Sequence, residues 1–221
     1  NNAVKFYAEE CLQKGWSRDM LLNAIKMNTY AAHQTQIKTN NFDSVLPVAQ
    51  ADYANEVFKS SYNLGFLGIT EPVKELELEK RLVAKIRSFI LELGKGFSFI
   101  GNQSRLEYNN KEYAVDMLFF HRGLRSLVAI ELKIGAFKAE YVGKMNLYLS
   151  LLDRLEKAEG ENPSIGIILC ADKDHLDVEI ALQDINKPIG VAEYQLLLPK
   201  DELQALLIQE INSMEENRDI P

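Results

Sequence analysis

Hydrophobic and polar positions alternate most regularly between Tyr113 and Ile134, where YAVDMLFF and SLVAIELKI lie on either side of Arg122-Gly123-Leu124-Arg125. A period of two on both sides of a short Gly-containing turn predicts a β-hairpin, and Gly at the first central position suits a two-residue type II′ turn. In that register Met117 faces Ile130 and Phe119 faces Val128; with Val115 and Leu132 they make an apolar side. The other side carries Asp116 directly across from Glu131, with Lys133 two residues further on. Like charges opposed across a strand pair destabilise it. A divalent cation or the neighbouring Lys133 is the expected compensation.

Helical spacing dominates elsewhere. Val4, Tyr7, Ala8, Cys11 and Leu12 predict a first helix ending at Gly15, and Ser17 caps a second that carries Leu21, Leu22 and Ile25. Residues 33 to 48 read as a loop, and a weakly patterned helix is expected over about 50 to 62. Residues 1–68 are therefore expected to be a small helical unit, with residues 69–221 forming the main domain. Pro72 predicts a helix start, and the stripe Leu76, Leu82, Val83, Ile86, Phe89, Ile90 and Leu93 runs to Gly94. Glu79 falls on that apolar stripe. It either faces inward at a real energetic cost or sits half exposed beside a Lys or Arg in the first turn.

A short strand over Phe97–Ile100, which Gln103–Tyr108 extends or follows after a bend, leads through Asn109-Asn110 into the hairpin. Beyond Gly135 the period turns helical again, with Phe137, Tyr141, Met145, Tyr148, Leu152 and Leu155 on one stripe. The continuous apolar run IGIILC over 165 to 170 predicts a strand buried on both faces, reached by a crossover and paired in parallel. Residues 176 to 185 are a helix or strand, 191 to 198 a last strand, and 201 to 215 a closing helix. The order predicts an α/β fold with a mixed central sheet.

Composition narrows the class. The chain has 221 residues, 47% hydrophobic, with a net charge of −7, enough to bury a full core. Acidity concentrates at the C-terminal end, where residues 136 to 221 carry 8 Lys and Arg against 17 Asp and Glu. That balance argues against nucleic-acid binding by bulk charge, though not against a local groove. No apolar run has the length of a membrane span, and Cys11 and Cys170 read as two free thiols in a reducing cytoplasm. His33, His121 and His175 share no spacing, which argues against a zinc site or a histidine-based triad. There is no Gly-rich phosphate loop or G-x-S-x-G elbow.

Asp116, a hairpin, then Glu131-Leu132-Lys133, with Glu79 on the preceding helix, resembles the PD-(D/E)XK nuclease superfamily and its αβββαβ core. LELGKGFSFIGNQSRLEY, DMLFFHRGLRSLVAIELKIGAFKAEYVGKMNLYLSLLD and NPSIGIILC are similar to the nuclease domain of the bacterial YhcG-like family. FYAEECLQKGWSRDMLLNAI resembles the end of that family's helical N-terminal domain, whose start is expected to be missing here. The resemblance implies a restriction-endonuclease-like fold and a DNA endonuclease, with RNA the second candidate substrate. Asp116, Glu131 and the Leu132 carbonyl would hold Mg²⁺ or Mn²⁺, since hard oxygen ligands suit such ions. Glu79 would be a further ligand or would orient a water at the ion, and Lys133 would activate the attacking water or stabilise the charge developing on the phosphate.

Three further positions stay open. Gln103 lies where related nucleases place a polar residue near the substrate, or is simply a solvated side chain on the surface. Lys144 and Tyr148 have the spacing of the Gln-x-x-x-Tyr helix motif of recombination-type nucleases, with Lys in place of Gln; Lys144 then contacts a phosphate, and Tyr148 is a ligand or a core aromatic. The alternative function is a catalytically inactive nuclease fold that serves nucleic-acid binding or complex assembly. Self-association or a partner protein, engaged through the helical N-terminal unit, is the expected partnership.

Overall fold

The computed structural model describes residues 2–14, 16, 18–26, 30, 39–69 and 73–196. Helices α1 (Asn2–Lys14) and α2 (Arg18–Lys26) pack on each other, with the Tyr7 hydroxyl donating to the Ala24 carbonyl at 3.4 Å. The predicted caps at Gly15 and Ser17, the helix start at Pro72 and the closing helix over 201 to 215 lie outside the described residues.

From residue 39 onward the chain builds one layered α/β unit. The elements are α3 (Phe42–Val45), α4 (Val48–Val57), β1 (Ser61–Asn63), α5 (Glu75–Ala84), α6 (Ile86–Leu93), β2 (Phe97–Tyr108), β3 (Lys111–His121), β4 (Ser126–Leu132), α7 (Glu140–Leu155), β5 (Ile165–Cys170), α8 (His175–Leu182) and β6 (Ile189–Gln195). Six strands form a mixed sheet in the order β1-β6-β5-β4-β3-β2. β2, β3 and β4 make an antiparallel meander, and β4, β5, β6 and β1 run parallel. The α/β class and mixed sheet expected from the sequence are therefore present, and the helix-strand-strand-strand-helix-strand order runs from α5 to β5.

The strand alternation explains the register. Met117 pairs with Ile130 and Phe119 with Val128, as their side chains require when one face is buried. The turn differs from expectation: four residues separate the last pair, His121 and Ser126, and Arg125 takes the left-handed conformation at φ 50° while Gly123 does not. Gly123 serves a different need, because a Cβ there would lie 2.4 Å from the Tyr53 hydroxyl. The face expected to be polar is covered as well. All seven residues of β4 are buried, between one core containing Met117, Phe119, Val128 and Ile130 and a second containing Leu118, Leu127, Ala129, Met145 and Leu149. Each of the buried Val, Leu, Ile, Met and Phe side chains among them is worth about 2 kcal/mol of transfer free energy.

Two sequence expectations change here. The single helix expected up to Gly94 breaks at Lys85, whose φ −114° and ψ 33° leave the helical region. The stretch expected to be a helix over 50 to 62 ends at Val57, and Ser61–Asn63 joins the sheet as a strand parallel to β6. Phe42, Leu46, Ala51, Ala54, Tyr62 and Leu64 lie in the same core cluster as Leu78 and Phe89, so the core continues across residue 68. Two polar clamps secure the early residues. The Asn41 side-chain amide donates to the Ile185 and Lys187 carbonyls and its oxygen accepts from Ile189 N–H at 2.8 Å. Lys173 donates to Thr39 Oγ1 at 2.7 Å and to the Ser60 and Val191 carbonyls at 2.9 Å each.

Candidate active site

The β3–β4 ladder stops at Met117 and Ile130, one residue short of Asp116 and Glu131. Asp116 Oδ2 instead accepts the Leu132 N–H at 2.8 Å, so a side chain takes over where the backbone ladder lapses. The β2–β3 ribbon bends at the same level. Gln103, which lies opposite Asp116 between the pairs Asn102–Met117 and Ser104–Val115, has φ 47°. A non-glycine residue in that region is strained, and such residues cluster at functional sites. The bend has a packing signature: Val115 and Met117, two apart on one strand, belong to different core clusters.

Glu131 is only 1% exposed. Its Oε1 faces Lys133 Nζ at 3.2 Å and also pairs with Lys144 Nζ, while Oε2 is buried with no hydrogen-bond partner. Lys133 Nζ also meets Glu75 Oε2 at 2.9 Å and lies 5.3 Å from the Tyr141 ring centre. Burial alone would lower the Lys133 pKa, but Glu75 and Glu131 hold it above its usual value, so the group remains an ammonium. Asp116 is pushed up to about 6, first by burial and then by the Glu131 charge; the Leu132 N–H and the two lysines pull the other way. This is a pocket with more negative charge than its own cations settle.

Lys144 reaches Glu131 because α7 sits very close to β5. A Cβ at Gly166 would lie 2.5 Å from Met145 Cγ, so glycine lets Met145 seat on the strand and brings its neighbour Lys144 within range of β4. Tyr148, at 4% exposure, is part of the second core, and Lys144 Nζ lies 5.2 Å from its ring centre. Burial and then Glu131 raise the Tyr148 pKa.

Glu79 does face inward, at 5% exposure, but it does not meet Asp116 directly. Asn102 Nδ2 donates to its Oε1 at 3.0 Å and Gln103 Nε2 to its Oε2 at 2.6 Å; Gln103 Nε2 then lies 3.5 Å from Asp116 Oδ1. The expected convergence of three acids is thus two acids with a third attached through an amide. Among the described residues no group of three or more His, Cys, Asp or Glu side chains is placed to hold a metal ion. The donors that would suit a hard divalent cation are the partnerless Glu131 Oε2 and Asp116 Oδ1, whose contact with Gln103 Nε2 is long at 3.5 Å. Glu75 and Asn102 were missed by sequence reading. An acidic first helical turn and an Asn in a strand carry no pattern that distinguishes them from surface residues.

Comparison with known proteins places the chain in a family. Residues 55–210 match the YhcG PDDEXK nuclease domain. The chain belongs to that family. It is 32% identical over 201 residues to the protein named "Putative nuclease YhcG" of Escherichia coli (strain K12), across 90% of this chain and 54% of that one. The chain thus spans about half the length of the curated relative it matches. Among solved structures it is similar to a repair endonuclease from Pyrococcus abyssi, with TM-score 0.37 and 16% identity over 59% of this chain and 50% of that one. It is also similar to EndoMS in its apo form, with TM-score 0.36 and 15% identity over 59% and 48%. The family match defines a PD-(D/E)XK nuclease domain, and α5 to β5 follow the αβββαβ order.

Proposed function

We propose that this YhcG-family domain hydrolyses phosphodiester bonds in DNA, as an endonuclease, with Mg²⁺ or Mn²⁺ held by Asp116, Glu131 and the Leu132 carbonyl. The observation that carries the reading is Glu131 Oε2, a buried carboxylate oxygen with no partner, beside an Asp116 whose carboxyl is held up by burial and by that same charge. Leaving such an oxygen buried without a partner is costly even with lysines on the other oxygen, and a dication would answer the cost. When bound, the ion would neutralise phosphate charge and make an attacking water more acidic.

The chain's own residues have separable tasks. Lys133, held as an ammonium between Glu75 and Glu131, stabilises negative charge gathering on the phosphate. Gln103 fixes Asp116 and Glu79 relative to each other. Glu79 orients water at the site's edge from its amide-bound position. The α1–α2 pair, with Val4, Leu12, Leu22 and Ile25 exposed, recognises DNA, a partner protein or a second copy of the chain.

Supercoiled DNA, linear DNA and RNA incubated with Mg²⁺, Mn²⁺ or chelator provide the test. Cleavage of DNA that depends on the ion and disappears in Asp116→Ala and Lys133→Ala is expected. Equal cleavage by the variants and the parent removes the assignment. Calorimetry showing no Mn²⁺ binding turns the reading toward a fold kept for binding alone.

A further inference from the structure

Both cations of the site converge on one oxygen, Glu131 Oε1, and they are held very differently. Lys133 has a 12% exposed side chain, a second carboxylate in Glu75 and the face of Tyr141. Lys144 has a 43% exposed side chain, and among the described residues Glu131 is the carboxylate it pairs with. Its ammonium otherwise rests over the Tyr148 ring. One lysine is built in, while the other leans in from solvent on a flexible stem.

We infer that Lys144 is a built-in counter-ion that occupies Glu131 until a divalent cation takes that carboxylate, and whose released ammonium then binds a phosphate of the nucleic-acid strand. The inference rests on the metal-dependent reading of the same site. Glu131 is 1% exposed and its Oε2 has no hydrogen-bond partner, so the carboxylate needs a cation beside it. An ion arriving between Asp116 and Glu131 would face the Lys144 ammonium at close range, and like charges in a partly buried pocket repel strongly. Lys133 yields less easily, because its side chain is only 12% exposed and it also holds Glu75 and lies against the Tyr141 ring. Lys144 can yield, because its stem is already half in solvent and Met145 and Tyr148 keep its helix in place. A compact ammonium accepts a phosphate in many orientations, which suits a group that must change partners. Metal and substrate then become coupled: the ion frees the cation that the strand needs.

The test separates these effects by sign. Mn²⁺ is titrated calorimetrically into the parent protein, Lys144→Gln, Lys144→Ala and Lys144→Arg without nucleic acid, and a short DNA duplex is bound in Ca²⁺ with fluorescence anisotropy as the readout. Lys144→Gln and Lys144→Ala should bind Mn²⁺ at least about fivefold more tightly than the parent and the duplex at least about fivefold more weakly. Lys144→Arg, which keeps the charge, should resemble the parent in both. Unchanged or weaker Mn²⁺ binding in both neutral variants overturns the counter-ion role while leaving the metal site standing. An arginine variant that behaves like the neutral ones overturns it too. A parent protein that binds no Mn²⁺ removes the metal-dependent reading itself.

Discussion

The Gln103 side-chain amide donates to Glu79 Oε2 at 2.6 Å from a backbone held at φ 47°. Left-handed backbone costs a non-glycine residue about 1 kcal/mol, so Gly at this position should relax the strand while deleting the amide. Gln103→Gly is expected to keep or raise the melting temperature and to lower ion-dependent DNA cleavage by about tenfold or more. A variant that melts well below the parent would show that the amide serves the fold rather than the site.

Asp116→Asn retains an acceptor for the Leu132 N–H and removes one of two neighbouring buried charges. The apo protein should melt about 2–4 °C higher, the shift expected for about 1 kcal/mol in a chain of this size. Cleavage should fall by about a hundredfold or more, because one of the two carboxylates proposed to hold the ion is gone. Calorimetric scanning beside a cleavage assay reads both; loss of stability together with activity contradicts the prediction.

Much of this architecture is readable from residue patterns. The β3–β4 register follows from strict alternation around a short turn, β5 from a run with no polar residue, and α7 from a stripe of apolar positions three and four apart. Inward-facing Glu79 is legible for the same reason, being an acid on an apolar stripe. What escapes is set by contacts between distant segments. Glu92 looks like a surface acid, yet Lys59 meets it at 2.5 Å and Asn63 N–H donates to it at 3.0 Å. Ser61–Asn63 is too short and polar to announce a strand, and forms one because β6 offers an edge. The bend at Gln103 has no residue-type signal, since Gln does not favour left-handed backbone.

The buried Lys59–Glu92 pair supplies a stability prediction. Glu92→Ala leaves the ammonium and the Asn63 N–H without their acceptor and should cost about 3 kcal/mol. Replacing both residues by apolar ones, Lys59→Met with Glu92→Leu, should recover most of that loss. Denaturant midpoints of the single and double variants provide the check.

His121 gives the fold a pH response. Its Nδ1 accepts the Leu124 N–H at 3.1 Å, so Nε2 carries the proton and donates to the Lys95 carbonyl, also at 3.1 Å. Burial holds the imidazole below its ordinary 6.5, only partly opposed by the Lys95 carbonyl. The unfolded chain therefore takes up a proton that the folded chain resists. Stability from this residue is intact above about pH 6.5 and is lost as pH falls below it. Between about pH 7.5 and about pH 5.5 the urea midpoint of His121→Gln, which can keep one donor and one acceptor, should change less unfavourably than that of the parent; the Asp116 carboxyl, held up to about 6, works in the opposite direction and acts alike in both proteins.

The clamps at Asn41 and Lys173 bear on where this domain can be cut. Trimming to the matched span of 55–210 would discard Thr39, Asn41 and Phe42, stripping one acceptor from a buried ammonium, three bonds from the approach to β6 and an aromatic ring from the core. A fragment begun at residue 55 is therefore expected to be recovered as aggregate, and one begun at Thr39 as folded protein, with soluble yield and circular dichroism as the check.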